Sequence, residues 1–508
     1  MRGVGLSARE LVDLVLDAGS YRSWDTPVPP GEPDERYAAA LAAARERTGL
    51  DEAVITGEGR LRGRRVAVVA CEFGFLAGSI GVAAAERLVA AIERATVERL
   101  PVLAAPVSGG TRMQEGTVAF LQMVKISAAI ATHKAAGLPY LVYLRHPTTG
   151  GVFASWGSLG HVTVAEPGAL IGFLGPRVYE QLYGAPFPPG VQVAENLFRH
   201  GIVDAVLPPE ALPDIADRAL RVLCDRPREA AAPPPPDEPV AEVPAWRSIQ
   251  ISRRPDRPGV RALLRRASDV LPLNGTGEGE ADPGLLLALV RFGDAPCVLL
   301  GQDRGGGSDP QVGTEPAARR SERLIGPGAL REARRGMRLA QELRLPLVTV
   351  IDTPGAALSR DAEEGGMAGE IARCLAELVT LDAPTVCFLL GQGTGGGALA
   401  LLPTDRVIAA QHGWLSPLPP EGASAIVYRT TDRAAEMAQL QRVRSTDLVR
   451  AGIVDRVVPE RPDAADEPEA FCRRACAVLE YEITQLIHQD PARRYADRLA
   501  RYRQIGQP

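Results

Sequence analysis

Hydrophobic positions along this chain gather in short continuous runs, each followed by a glycine-rich turn and then by apolar residues at helical spacing. Residues 66–70 form such a run and read as a buried strand. Ser79 is then placed to cap a helix reaching about Arg99. Val82, Ala85, Leu88, Val89 and Ile92 fall on its apolar face, and Glu86, Arg87, Glu93 and Arg94 on its outer face. The pattern continues with a strand over 102–107, a helix over about 116–136 and a strand over 140–144. The turn Thr148-Thr149-Gly150-Gly151, a short helix and a strand over 162–165 complete the unit. In the second half, strands are predicted over 347–351 and 385–390. Alternating strands and helices joined by glycine turns define an α/β fold whose sites lie where helices begin.

The two halves repeat each other. Leu100-Pro101-Val102-Leu103 leading to Gly110 matches Leu345-Pro346-Leu347-Val348 leading to Gly355, with the glycines 245 residues apart. Gly150 matches Gly396 at 246 residues, and Gly201-Ile202-Val203-Asp204 recurs as Gly452-Ile453-Val454-Asp455 at 251. A period this long means two copies of one fold, not a solenoid. Between them, Arg226 to Pro244 contains Pro233-Pro234-Pro235-Pro236-Asp237-Glu238-Pro239, which reads as a semi-rigid spacer. Two further stretches, 274–283 and 304–320, read as loose loops.

Composition narrows the function. With 57 Lys and Arg against 62 Asp and Glu among 508 residues, the net charge of −5 provides no field for holding nucleic acid or an anionic membrane. Only Lys125 and Lys134 are lysines. The seven cysteines are scattered and never spaced CxxC, so neither a disulfide framework nor a zinc ribbon is expected, and a reducing cytoplasm fits best. Glu72 and three glycines interrupt the apolar stretch 66–85, which favours a strand followed by a helix over a membrane span there.

Side-chain chemistry is sparse. Gly391-Gln392-Gly393-Thr394-Gly395-Gly396 fits GxGxxG, but the helix after it has room only for about 397–402, too short for a dinucleotide-binding crossover. Ser155 lacks the first glycine of a nucleophile elbow. The six histidines fall in no metal-ligand spacing, and no metal site is expected. Glycine itself remains. Gly150-Gly151 and Gly396-Gly397 stand at matching points, each between a strand and a short helix, where open backbone N–H groups can hold an oxyanion. Tight helix–strand packing by small residues explains the same glycines equally well.

Phe73-Gly74-Phe75 with Gly78-Ser79, then Ser108-Gly109-Gly110-Thr111-Arg112-Met113-Gln114-Glu115-Gly116, Gly150-Gly151-Val152-Phe153-Ala154-Ser155 and Ile171-Gly172-Phe173-Leu174-Gly175-Pro176-Arg177 resemble the carboxyltransferase beta subunit of bacterial acetyl-CoA carboxylase. Ile351-Asp352-Thr353-Pro354-Gly355-Ala356, Ala362-Glu363-Glu364-Gly365, Gly395-Gly396-Gly397-Ala398-Leu399-Ala400 and Pro419-Pro420-Glu421-Gly422-Ala423-Ser424 resemble the alpha subunit. The chain is similar to a fusion of the two, and the resemblance implies two tandem crotonase-like (ClpP/crotonase) domains. Domain bounds follow from it: an extension over 1–50 that has no cysteine and hence no zinc ribbon, a beta-type domain over 51–225, a linker region over 226–284, an alpha-type domain over 285–490 and a tail over 491–508.

The resemblance further implies transfer of a carboxyl group from N1 of carboxybiotin, supplied on a separate carrier protein, to the α carbon of an acyl-CoA, as in malonyl-CoA formation for fatty acid synthesis. Gly150 and Gly151 would stabilise the thioester enolate. Gly396, Gly397 and the N–H of Ala398 would stabilise the biotin ureido oxygen. Gly109, Gly110, Arg112 and Gly355 would contact substrate, with Arg112 alternatively a structural ion-pair residue. No cofactor is expected to be bound covalently. Biotin carboxylase and carrier chains are the implied partners, and a homodimer or trimer of dimers the implied assembly. The stretch 304–320 departs from the alpha pattern, so the acyl group need not be acetyl. A malonyl-thioester decarboxylase and a non-catalytic CoA-ester-binding subunit are the competing readings.

Overall fold

A computed structural model of the chain describes residues 5–28, 33–234, 241–304 and 324–507. The chain divides into two units, the first up to Cys224 with Gly277–Gly279, the second holding the remainder from Asp225.

The first unit is built on a seven-stranded sheet in the order β1 (Arg22–Ser23), β2 (Val54–Leu61), β3 (Arg64–Cys71), β4 (Val102–Ala105), β5 (Tyr140–Leu144), β7 (Val162–Ala165) and β9 (Ala205–Val206). The β1–β2 and β2–β3 pairs are antiparallel, and the rest of the sheet is parallel. A two-stranded parallel ribbon, β6 (Thr148–Thr149) with β8 (Ile171–Gly172), stands beside it. Strands β5 and β7 are buried along their whole length, which is why they appear as continuous apolar runs without alternation. The helices Val82–Val97 and Gly116–Ala135 cover one face through Leu88, Ile92, Ile126 and Ile130. Alternate residues such as Val68 and Val164 turn to the other face, toward the helices Ala8–Val15 and Leu212–Cys224.

Two expectations for the first helix change. It begins at Val82 with Gly81 as its cap residue, and the Ser79 hydroxyl donates to the Leu76 carbonyl at 2.8 Å. Arg87 is buried, not outward. Its guanidinium meets both Asp51 carboxylate oxygens at 2.9 Å and donates to the Thr26 carbonyl at 2.8 Å. Segments preceding β2 cover what would otherwise be the helix's polar face.

His133 sits in the same core, fully buried, with Nε2 3.2 Å from the Pro139 carbonyl, which can only accept. Burial pulls its pKa down from 6.5 to about 4. The folded state thus holds the neutral ring while the unfolded chain protonates. Stability is full above pH 6.5 and falls as pH drops toward 4, by about 3 kcal/mol if the whole shift is realised. Thermal unfolding across that window should show the loss, and His133→Gln should flatten it.

The second unit repeats the plan: β10 (Asp269–Leu273), β11 (Leu285–Phe292), β12 (Ala295–Gln302), β13 (Leu347–Thr353), β14 (Thr385–Thr394), β15 (Arg406–Ala410) and β17 (Arg456–Val458), in that order, with β16 (Trp414–Ser416) pairing the end of β14. Again the first two pairings are antiparallel and the others parallel. Helices Pro327–Leu343 and Pro468–His488 bury apolar residues on this unit. The fingerprint Gly391 to Thr394 lies inside β14, where a Cβ on Gly391 would stand 2.3 Å from the Asp352 carboxylate. Close packing accounts for that glycine.

Residues 226–284 are more than a linker. Helices Ala245–Ser252 and Val260–Leu264 form there, and all five residues of β10 pair with β11. Ala245 and Ile249 pack with Trp414 and Ala438, a burial that the neighbouring prolines mask in the sequence. Residues 235–239 of the proline run and 305–320 of the third loose stretch lie outside the described residues. The expected tail is the helix Pro491–Gln504, whose Arg498 is buried, with Nε donating to Asp405 at 2.8 Å.

Candidate active site

Each unit holds a turn after its fourth strand, and the two turns carry the same hydrogen bonds. In the first, the Ser108 hydroxyl accepts the Gly110 N–H at 2.9 Å, while Ile80 N–H donates to the Gly110 carbonyl at 3.0 Å and Arg112 N–H to the Ile80 carbonyl at 2.9 Å. In the second, the Thr353 hydroxyl accepts the Gly355 N–H at 3.1 Å, Ile325 N–H donates to Gly355 at 3.3 Å, and Ala357 N–H to Ile325 at 2.9 Å. Gly110 and Gly355 take φ of +117° and +144°, a region that favours glycine. The same repeat fixes a further pair: Asp204 holds the Thr163 N–H at 2.8 Å and Asp455 holds the Val407 N–H at 2.7 Å.

This bonding leaves particular donors open. Thr111 and Ala356 each point their N–H away from the bridge that their neighbours make, and neither has an acceptor among the described residues. Gly151 approaches Thr111: a Cβ on Gly151 would lie 3.2 Å from Thr111 Oγ1. Gly397 approaches Ala356: its Cβ would lie 3.4 Å from the Ala356 nitrogen. The Gly151 N–H has no acceptor among the described residues. Gly396 and Gly397 are the second and third residues of the helix Gly395–Leu399, where N–H groups have no helical acceptor. Each unit therefore brings two open N–H groups together, Thr111 with Gly151 and Ala356 with Gly397. Neither Thr111 nor Ala356 stood out in the sequence, although Ser108 and Thr353, hydroxyl residues two before matched glycines, mark both turns.

Other expected site residues have different tasks. Gly150 donates its N–H to the Gly172 and Phe173 carbonyls at 3.2 and 3.0 Å, and its φ of +66° shapes the turn. The Gly109 N–H goes to the Ala77 carbonyl at 2.9 Å. Ala398 is the fourth helical residue, the first whose N–H finds an acceptor inside the helix. Arg112 is 1% exposed, so it is not available to a substrate. Its fork grips Glu52 at 2.8 and 2.5 Å, its Nη2 also donates to the Ser79 carbonyl at 2.7 Å, and its guanidinium lies 5.6 Å from the Phe75 ring centre. Burial opposes the guanidinium charge, but Glu52 outweighs it and holds the Arg112 pKa above its ordinary value.

The hydrogen bonds that the two turns share come from backbone and hydroxyl groups. The arrangement can stabilise negative charge on an oxygen but cannot by itself deliver a proton. A cleft of about 930 Å³ opens at Gly395 and Gly396, bordered by Leu415, Ser416, Arg442 and Arg450. Among the described residues there is no metal-binding group of His, Cys, Asp or Glu, and no helix is long and apolar enough to cross a membrane.

Comparison with known proteins identifies the family. The carboxyl transferase domain family matches residues 5–496. A protein of Mycobacterium tuberculosis, the probable biotin-dependent acyl-coenzyme A carboxylase beta3 subunit, is 63% identical over 507 residues, covering 99% of each chain. The acetyl-coenzyme A carboxylase carboxyl transferase subunits beta/alpha of Parafrankia are 37% identical over 536 residues, covering 99% of this chain and 86% of that protein. Among solved structures, transcarboxylase 12S, a hexamer with methylmalonyl-coenzyme A and methylmalonic acid bound, superposes with a TM-score of 0.72 at 21% identity, over 95% of this chain and 90% of that one. The chain belongs to the carboxyl transferase family. It is a carboxyltransferase with the two-domain crotonase-type fold that the sequence resemblance implied.

Proposed function

We propose that this chain is the carboxyltransferase component of a biotin-dependent acyl-CoA carboxylase, with two oxyanion pockets serving one reaction. Loss of the carboxyl group from carboxybiotin breaks the N1–C bond and drives negative charge onto the ureido oxygen. Loss of the α proton from an acyl-CoA drives charge onto the thioester oxygen. The released N1 takes that proton, and the α carbon forms its new bond to the carboxyl carbon. Two oxyanions arise, and the observation that carries the reading is that each unit holds its own pair of open N–H groups. Thr111 and Gly151 face the thioester and Ala356 and Gly397 face biotin. Biotin supplies the base, which accounts for turns shaped by backbone and hydroxyl groups.

Similarity to an acyl-coenzyme A carboxylase subunit at 63% identity and to acetyl-coenzyme A carboxylase subunits at 37% supports short acyl-CoAs, acetyl-CoA included, as acceptors. With acetyl-CoA the product is malonyl-CoA, which feeds fatty acid synthesis, and the setting is the cytoplasm. Biotin carboxylase and carrier chains are the partners. The second link is to a further copy of this chain, as homodimer or trimer of dimers. The helix that follows the Gly110 turn exposes Val118, Phe120, Leu121 and Val124 by 56–67%, an apolar stripe of the kind that marks an interface.

The test supplies carboxylated carrier protein and a series from acetyl- to butyryl-CoA. Carboxylation of at least one thioester, dependent on the carrier, is the expected result. Absence of product with all of them defeats the reading.

A further inference from the structure

The matched glycines share a second feature: each has its carbonyl held by a side chain. In the second unit Gln302, 1% exposed at the end of β12, donates Nε2–H to the Gly397 carbonyl at 2.8 Å, and its Oε1 accepts the Asp352 N–H at 3.0 Å. The two bonds fix the amide's orientation, because only the NH₂ end can donate to a carbonyl. In the first unit the Gly151 carbonyl accepts from Ser155 Oγ at 2.5 Å. Ser155 follows its glycine by four residues, whereas Gln302 precedes Gly397 by 95. Unrelated side chains thus reach the same carbonyl in both copies of the fold.

Such a hold has a physical purpose. Gly395-Gly396-Gly397 carries the largest backbone freedom a tripeptide can have, and a helix of five residues does not sustain itself. An oxyanion donor lowers a barrier only if it is oriented before charge develops. The Gly397 carbonyl lies where a helix end leaves carbonyls without helical donors, so the Gln302 amide meets a need the backbone cannot. It also ties the turn to β13 through Asp352, whose carboxylate accepts the Gln392 N–H at 3.0 Å.

We propose that Gln302 and Ser155 are positioning residues: they hold the peptides that join Gly397 to Ala398 and Gly151 to Val152, and so fix the backbone on which the Gly397 and Gly151 donors stand. The proposal rests on the carboxyltransferase reading above. Gln302→Glu keeps the acceptor for Asp352 but, when ionised, loses the donor to Gly397. When protonated it restores both bonds. The charged groups in the adjoining network are Asp352 with its partner Arg304, and Asp303 with Arg261.

The experiment follows carboxylation of free biotin by malonyl-CoA, with kcat and both KM values measured from pH 6 to 8. Gln302→Glu is expected to lower kcat about 10- to 100-fold at pH 8, since misplacing a reacting group by about 1 Å costs on the order of 100-fold. Its malonyl-CoA KM should stay near the wild-type value, and its kcat relative to wild type should rise as pH falls. Gln302→Met should show the loss without the pH rescue. Ser155→Ala, a smaller change, supplies an arm that does not depend on how position 302 folds, and it too should lower kcat. Wild-type kcat per folded molecule in Gln302→Glu and Ser155→Ala overturns the proposal, as does a deficit that only tracks the unfolded fraction. If the wild-type chain itself transfers no carboxyl group, the parent reading fails, and this separate outcome removes the basis of the proposal.

Discussion

Gly151→Val and Gly397→Val are each expected to lower carboxyl transfer by about 100- to 1,000-fold, the usual cost of losing one donor of an oxyanion hole. Both glycines have backbone conformations open to other residues, and a first added carbon would meet its neighbours no closer than 3.2 Å. The variants should therefore fold, and the loss should be one of rate. Valine at 151 stands against the Thr111 hydroxyl, so the acyl-CoA side is expected to suffer. Valine at 397 stands against Ala356 and affects the biotin side. Steady-state kinetics on purified, folded variants check this, with malonyl-CoA and biotin varied independently. Near-normal rates in both would make these glycines packing residues.

Arg112→Ala is expected to destabilise the first unit by about 3–5 kcal/mol, because it strands the buried Glu52 carboxylate without its partner. The effect should appear as a large fall in thermal or urea stability. In whatever fraction stays folded, the KM for acyl-CoA should be unchanged, since the guanidinium is buried and engaged by Glu52 and the Ser79 carbonyl. A raised acyl-CoA KM with intact stability would return Arg112 to the substrate site. Glu52→Gln should destabilise in parallel, through the same bond seen from the other end.

The fold was largely legible in the sequence, and the reason is physical. Strands such as β5 and β7 are buried on both faces and so show as unbroken apolar runs, and the recurrence of Gly110 at Gly355 and Asp204 at Asp455 reveals two copies. Features that depend on distant partners were not legible. Arg112 stands open between a substrate contact and a structural ion pair until Glu52, 60 residues away, is seen to close on it. Gly150 and Gly151 are equivalent as letters, yet among the described residues only Gly150 spends its N–H, on carbonyls from β8 and the residue after it. Thr111 and Ala356 carry no signal of their own, because a backbone donor has no side chain to announce it. The strand β10 is short, contains Pro272 and follows a proline-rich stretch, so its pairing with β11 is invisible until both are folded.

The most direct measurement is the reverse reaction of the wild-type chain with malonyl-CoA, in the presence and absence of free biotin, following carboxybiotin and CO₂ separately. Two oxyanion pockets serving one transfer predict that thioester loss depends on biotin and that carboxybiotin forms in step with acetyl-CoA. Release of CO₂ at the same rate without biotin would mean a decarboxylase, and would contradict the assignment of Ala356 and Gly397 to a second reactant.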